Sequence, residues 1–246
     1  MRNKVLERIR EKAETDYKKF NCGLIPGVDP AKVIGARVPE VRKVAKWLAG
    51  NDFTGYIDEV KQISPEELFF EEKMIWGMVI GYARISDDEK FRLIGEFVPV
   101  IDNWAVCDSV DSTYKFLRKD PEKGWIFIEK YLRSAREFEK RFGVVMLLTH
   151  YVNNDEINAE YMDRILAEMV RLGSGQPYYV MMAVAWNLSV CYIKAAEKTE
   201  EIFRGGRLDD ETQNKAIQKI RESFRVSAES KERLSGLKRK NALRRQ

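Results

Sequence analysis

Residues 178–193 read YYVMMAVAWNLSVCYI, the longest apolar run in the chain. It is shorter than the roughly 20 residues a membrane-crossing helix needs, and it carries Asn187 and Ser189 inside it. It therefore reads as a fully buried helix, which needs other helices around it.

The rest of the chain supplies helical patterns and few strand signals. There is no sustained alternation of apolar and polar residues, and no Asn-Gly or Asp-Gly hairpin dipeptide. VLERIREKAETDYKKF (5–20) puts Val5, Leu6, Ile9, Ala13 and Tyr17/Phe20 on one side of a helix. VPEVRKVAKWL (38–48) has Pro39 and Glu40 where a helix begins. Helix starts are expected near Asp52 and after Ser64-Pro65, Ser86, Asn103, Asp120-Pro121, Arg136, Asn154, Gln176-Pro177 and Asp209. SPEE, SDDE and DPEK are caps followed by acids, the usual chemistry of such starts. Taken in pairs, these helices form units beginning near residues 52, 86, 120 and 155. A helix-pair period of that length points to an all-α fold, a curved α-solenoid of HEAT-like helix pairs, with an irregular helical bundle as the alternative. No Pro/Gly/Ser-rich linker interrupts it, so one domain is expected over 1–246. A basic tail follows from about residue 230: Lys231, Arg233, Lys238, Arg239, Lys240, Arg244 and Arg245 stand against Glu232. It reads as a solvated end or, less simply, as a phosphate contact.

Composition excludes several classes of chemistry. The chain has 246 residues, 44% hydrophobic and 33% charged, with a net charge of +4. It is globular rather than disordered, and too mildly basic for charge alone to identify a nucleic-acid partner. Cys22, Cys107 and Cys191 are far apart and His150 is the single histidine, so neither a zinc site nor a disulfide framework is expected. A monomer in a reducing cytoplasm, without cofactor or metal and off the membrane, fits this inventory. The N-terminal MRNKVLERIREKAE lacks the apolar core of a signal peptide. No phosphate-cradling glycine loop is present. His150, after GVVMLLT, reads as structural, and the pairs Glu71-Glu72 and Asp87-Asp88 read as solvated. An enzyme built from this chain works with carboxylates, aromatics and arginines.

Three stretches offer such groups. In DNWAVCDS (102–109), Trp104 and Asp108 are four residues apart and share a helix face. Arg141 opens the apolar helix in REFEKRFGVVMLL, and Trp186 lies inside YYVMMAVAWNLS. Taken singly, Trp186 reads as core, as do Trp47, Trp76 and Trp125; Asp108 reads as a surface acid and Arg141 as a surface cation or a partner of Glu137.

Together the stretches resemble the AlkD family of bacterial alkylpurine DNA glycosylases, which is built from HEAT-like repeats. IGARVPEVRKVAK resembles that family's Gly-x-x-x-Pro-x-x-Arg helix, and NWAVCDS its Trp-Asp-Leu-Val-Asp motif; RFGVVMLL and the Trp186 helix follow in the same order. The chain differs at Ala105, where the motif has Asp, at Cys107, and at Asn187-Leu188-Ser189, where the family tends to Ala-Leu-Arg.

The resemblance implies a DNA repair glycosylase acting on cationic N3- or N7-alkylated purines in duplex DNA, associated with the nucleoid. It implies Trp104 and Trp186 as aromatic walls, Asp108 as the catalytic carboxylate and Arg141 as a contact to the DNA backbone. Arg37, Arg42 and Lys43 are further candidates to hold phosphates. Two other functions fit a helical-repeat chain: non-catalytic binding of damaged or branched DNA, and a protein–protein scaffold.

Overall fold

A computed structural model describes residues 1–239 as fourteen α-helices joined by turns and short 3-10 segments, with no β-strand among the described residues. The helices are α1 (Arg2–Arg10), α2 (Thr15–Leu24), α3 (Val38–Ala49), α4 (Phe53–Lys61), α5 (Phe70–Tyr82), α6 (Asp87–Phe97) and α7 (Trp104–Val110). They continue as α8 (Pro121–Leu132), α9 (Glu137–Leu147), α10 (Asp155–Arg171), α11 (Tyr178–Lys194), α12 (Ala196–Arg204), α13 (Asp210–Glu222) and α14 (Ala228–Ser235). The all-α class expected from the sequence is the class observed. None of the described helices is long and apolar enough to cross a membrane.

Local chemistry sets most of the helix starts. The side chains of Asp52, Ser86, Asn103, Asn154 and Asp209 each accept a first-turn N–H, which satisfies donors the helix itself cannot. Arg136 and Pro177 stand at the heads of α9 and α11, and Pro121 opens α8. The exception is Ser64-Pro65. Residues 65–67 form a turn, and α5 begins only at Phe70, where the Glu72 carboxylate accepts the Phe69 N–H at 3.0 Å. Leu68, 1% exposed, is buried by that turn.

The contacts divide the chain after Asp120 into two compact units. In the first unit α3 packs on α5 and α5 on α7, so alternate helices lie side by side. In the second unit α9 packs on α11 and α11 on α13 in the same alternating way. The α5–α7 contact is close enough to require glycine. A Cβ on Gly77 would lie 2.5 Å from both Phe97 and Val110, and one on Gly81 would collide with the Thr113 side chain.

Several sequence expectations are corrected by packing. Residues 5–20 are not one helix. Ala13 forms an isolated antiparallel bridge with Ala36, and the Glu14 N–H is donated to the Gly35 carbonyl, so the chain breaks before α2. Phe20, placed on the buried side by periodicity, is 64% exposed. Glu71 and Glu72 are buried rather than solvated. The Glu71 carboxylate accepts N–H bonds from Ile34 (2.9 Å), Gly35 (2.7 Å) and Ala36 (3.2 Å), and Glu72 is paired with Arg2. Burial pushes the Glu71 carboxyl above its ordinary value against the pull of those three donors. Trp76 and Trp125 are core, but Trp47 is half-buried beneath the Arg8 guanidinium, 4.0 Å from its ring centre.

The helix at 178–194 is not buried on every side. Tyr179, Met182 and Trp186, spaced three and four apart, form a half-exposed stripe on it. His150 is fully buried in a π-helical turn, Leu148–Val152. The described part of the basic tail is folded. Leu234 of α14 is fully buried, Arg233 pairs with Glu200 at 2.7 Å, and Arg239 pairs with Asp210 at 3.2 Å. Lys240, Arg244 and Arg245 lie outside the described residues.

Gly77→Ala is expected to destabilise the protein by about 1–3 kcal/mol, although alanine is the better helix former, because the new methyl meets two fully buried side chains. Thermal unfolding checks this, with a fall in Tm of roughly 2–12 °C; an unchanged or raised Tm would show that α5 and α7 separate freely. The docking of α14 is acid-sensitive. Its partner carboxylate, Glu200, is held below its ordinary value of 4.5, mainly by the Arg233 guanidinium. Its contribution is therefore complete above pH 4.5 and lost as pH falls through the lowered value. Amide exchange in α14 should accelerate over that acid window in wild type, and already be fast at neutral pH in Glu200→Gln.

Candidate functional site

The short helix α7 is built around its cap. Asn103 is extended, and its side-chain oxygen accepts from the N–H groups of Ala105 and Val106, each at 3.0 Å. Its amide donates to Asp102 at 2.7 Å, and Asp102 pairs with Lys73, a lysine only 5% exposed. Val106, Cys107 and Val110 are fully buried, which orients the helix. The half-exposed side carries Trp104, Ala105 and Asp108. Trp104 and Asp108 therefore do share an accessible face.

Two further bonds fix α7 in place. The Trp104 indole N–H donates to the Leu24 carbonyl at the end of α2, 3.0 Å away, which holds the ring in one orientation. At the other end, Arg42 of α3 donates to the Ser109 carbonyl (2.9 Å) and to the Tyr82 hydroxyl of α5 (3.2 Å). One guanidinium thus bridges three helices, and it sits at the C-terminal end of α7, where the helix dipole favours a cation. Arg42, a phosphate-holding candidate in the sequence, is half-buried and bonded to neutral groups of the fold.

The other two candidates of the first unit are exposed. Arg37 binds Glu14 through two nitrogens, at 2.9 and 2.9 Å, and lies 4.7 Å from the Tyr17 ring centre. Lys43 pairs with Glu40 at 2.7 Å, one turn earlier on α3. Each is available to an anion that displaces a surface carboxylate, a weak competitor.

In the second unit, α9 holds the start of α11. Glu137 accepts the Tyr179 N–H at 2.8 Å, one of the donors left unpaired by the first turn of α11. Arg141 donates to the Tyr179 carbonyl at 2.7 Å and is 5% exposed, so it is a buried cation rather than a surface one. Further along, the buried Asn187 amide donates to the Val144 carbonyl of α9 (3.2 Å) and its oxygen accepts from Cys191 (3.2 Å). The Ser189 hydroxyl returns to the Trp186 carbonyl at 2.7 Å. Asn187 and Ser189 thus serve packing, and they leave Trp186, with Tyr179, as an aromatic residue of the half-exposed stripe.

Sequence reading missed Lys73, Asp102, the bond of Glu137 to the Tyr179 N–H and the bridging use of Arg42. Their partners are remote in sequence, and no periodic pattern records such pairs. A half-exposed indole one helical turn from a half-exposed carboxylate is suited to a cation: the ring face attracts it and the carboxylate neutralises it.

No curated protein and no solved structure matches the chain. One family model does, over residues 3–242, and its description is DNA alkylation repair enzyme. A match over nearly the whole length, on an all-α chain, establishes that this protein belongs to the DNA alkylation repair enzyme family.

Proposed function

We propose that the protein is a monofunctional DNA glycosylase that hydrolyses the N-glycosidic bond of cationic N3- or N7-alkylated purines in duplex DNA. The observation that carries this reading is the accessible face of α7, where Trp104 and Asp108 stand one turn apart on an otherwise buried helix. Membership of a DNA alkylation repair family supports it.

An alkylated purine carries positive charge before reaction begins. When the C1′–N bond breaks, its electron pair goes to the purine, which leaves neutral, so no acid has to protonate it. Positive charge then develops on the sugar. In this reading the Asp108 carboxylate stabilises that charge and orients a water, whose oxygen bonds to C1′ and whose proton passes to Asp108 or to solvent. The face of Trp104 attracts the cationic base, contributing roughly 0.5–2 kcal/mol, and Trp186 is a second candidate wall taken from the family resemblance. A neutral base gains much less, so the same contacts select for damage. Arg37 and Lys43 contact phosphates. Arg42 and Arg141 hold α7 and the first turn of α11, and any backbone contact by Arg141 is made with the little of it that is exposed.

A second reading, DNA binding without excision, is favoured by the departures at Ala105, Cys107 and Ser189. Release of methylated purines from alkylated duplex DNA under single-turnover conditions separates the two. Wild type should exceed the spontaneous rate, and Asp108→Asn should lose roughly 100- to 1,000-fold of the acceleration while still binding DNA. Release by wild type at the spontaneous rate only, with salt-dependent binding intact, would establish the second reading.

Arg42→Lys should slow excision while leaving the salt dependence of DNA binding unchanged, because lysine cannot bridge Tyr82 and Ser109 at once. A drop of about one in the slope of log affinity against log salt would instead identify Arg42 as a phosphate contact.

A further inference from the structure

At the C-terminal ends of α3 and α5 lies an open cleft of about 630 Å³, lined by Lys46, Ala49, Gly50, Asn51, Tyr82 and Arg84. Its charge is one-sided: two cations and no carboxylate. Two other clefts on the molecule differ. One between α10 and α12 balances Asp163 and Glu201 with Lys198 and Arg207. Another, beside Asn103, sets Asp29, Glu66 and Asp102 against Lys32 and Lys73.

Cations at helix C-termini often serve as caps. Here that work is done by other groups. The Trp47 carbonyl accepts from the Gly50 N–H and the Asn51 side chain, and the Leu48 carbonyl from the Asn51 N–H. On α5, the Gly81 carbonyl accepts from Lys90, and the Val79 carbonyl from the Ala83 N–H. Lys46 and Arg84 are both exposed, and among the described residues neither meets a carboxylate. Lys46 lies 5.4 Å from the Tyr82 ring centre, a neutral contact that leaves its charge uncompensated. The Tyr82 hydroxyl accepts from Arg42, and it donates to no group among the described residues. An O–H that accepts from a guanidinium is polarised as a donor. Two unpaired cations and one polarised hydroxyl are therefore directed at a single space.

We propose that this cleft is a phosphate-binding subsite for the DNA backbone, with Lys46 and Arg84 supplying charge and Tyr82 a third hydrogen bond. The inference rests on the reading of the protein as a DNA-binding repair enzyme and assigns it a contact point on the first unit. The Tyr82–Arg42–Ser109 bonds connect this subsite to α7, so a phosphate held here is fixed relative to the helix that carries Trp104 and Asp108.

Binding of the full-length protein to undamaged duplex DNA, measured by fluorescence anisotropy across a salt series, tests the subsite. Lys46→Ala/Arg84→Ala should lower the magnitude of the salt slope by roughly 1–2 and weaken low-salt binding about tenfold. Tyr82→Phe should weaken binding modestly with no change in slope. All three substituted side chains are at least partly exposed, so circular dichroism should show an unchanged fold. If wild type binds and the double variant has the same slope, the subsite is refuted while DNA binding stands. If wild type does not bind duplex DNA at low salt, the functional reading fails, and the backbone subsite with it. A parallel arm follows thermal stability in inorganic phosphate against chloride at equal ionic strength. Stabilisation by phosphate that the double variant loses, without any change in DNA slope, would assign the cleft to a free anion and overturn the backbone contact.

Discussion

The approach of α5 to α7 is the constraint on which the first unit depends. Gly77 and Gly81 leave no room for a Cβ, and the space goes to Phe97, Val110 and Thr113. Helix α7 is only seven residues long, too short to be stable on its own propensity. Its position comes from burying Val106, Cys107 and Val110 against neighbours that can come this close. The face left over is then decided by helical periodicity, and it is the face with Trp104 and Asp108.

Buried polar groups finish what apolar packing begins. Glu71 gathers three consecutive N–H groups from residues 34–36, which holds Gly35 at a φ of +101°. A side chain is strained at such an angle, and here it would also meet Lys18 at 2.7 Å. Pro39 then stands in the first turn of α3, and Arg42 lies one turn further on and reaches α5 and α7. The spacing of Gly35, Pro39 and Arg42, met first as a pattern of letters, has a physical account: a turn, a helix start and a crosslink. Removing one partner from such buried sets leaves an unsatisfied group, which costs more than the bond contributes.

Legibility in the sequence followed the range of the interaction. Helix starts at Asp52, Ser86, Asn103, Asn154 and Asp209 were readable because a cap and its N–H lie two or three residues apart. Trp104 and Asp108 were readable as a pair for the same reason. Glu71 and Glu72 looked solvated because their partners, residues 34–36 and Arg2, are far away in the chain. The break between α1 and α2 was hidden because it is imposed by Ala36 and Gly35, not by a proline or glycine within 11–14. The identity of the stripe on α11 was also hidden. A run that is apolar all round does not say which side its neighbours leave uncovered, and only packing distinguishes Tyr179, Met182 and Trp186 from the rest.

The departures from the family resemblance can be weighed in the same terms. Ala105 contributes its N–H to the Asn103 cap, so the backbone at this position is fixed whatever the side chain. An Asp there would place a second carboxylate in the first turn of α7, while Asp108 sits in the last. Ser189 and Asn187 are satisfied inside the second unit, so their polarity serves packing and is withdrawn from any DNA contact. What the chain keeps is a carboxylate and indoles with accessible surface, on helices fixed by charge-assisted bonds from Arg42 and Arg141 to backbone carbonyls. For a leaving group that already carries positive charge, the proposed chemistry asks little of the protein: the base needs no proton and the sugar needs one fixed negative charge, and the helix that carries Asp108 is held by the Asn103 cap, the Arg42 bond and the burial of Val106, Cys107 and Val110.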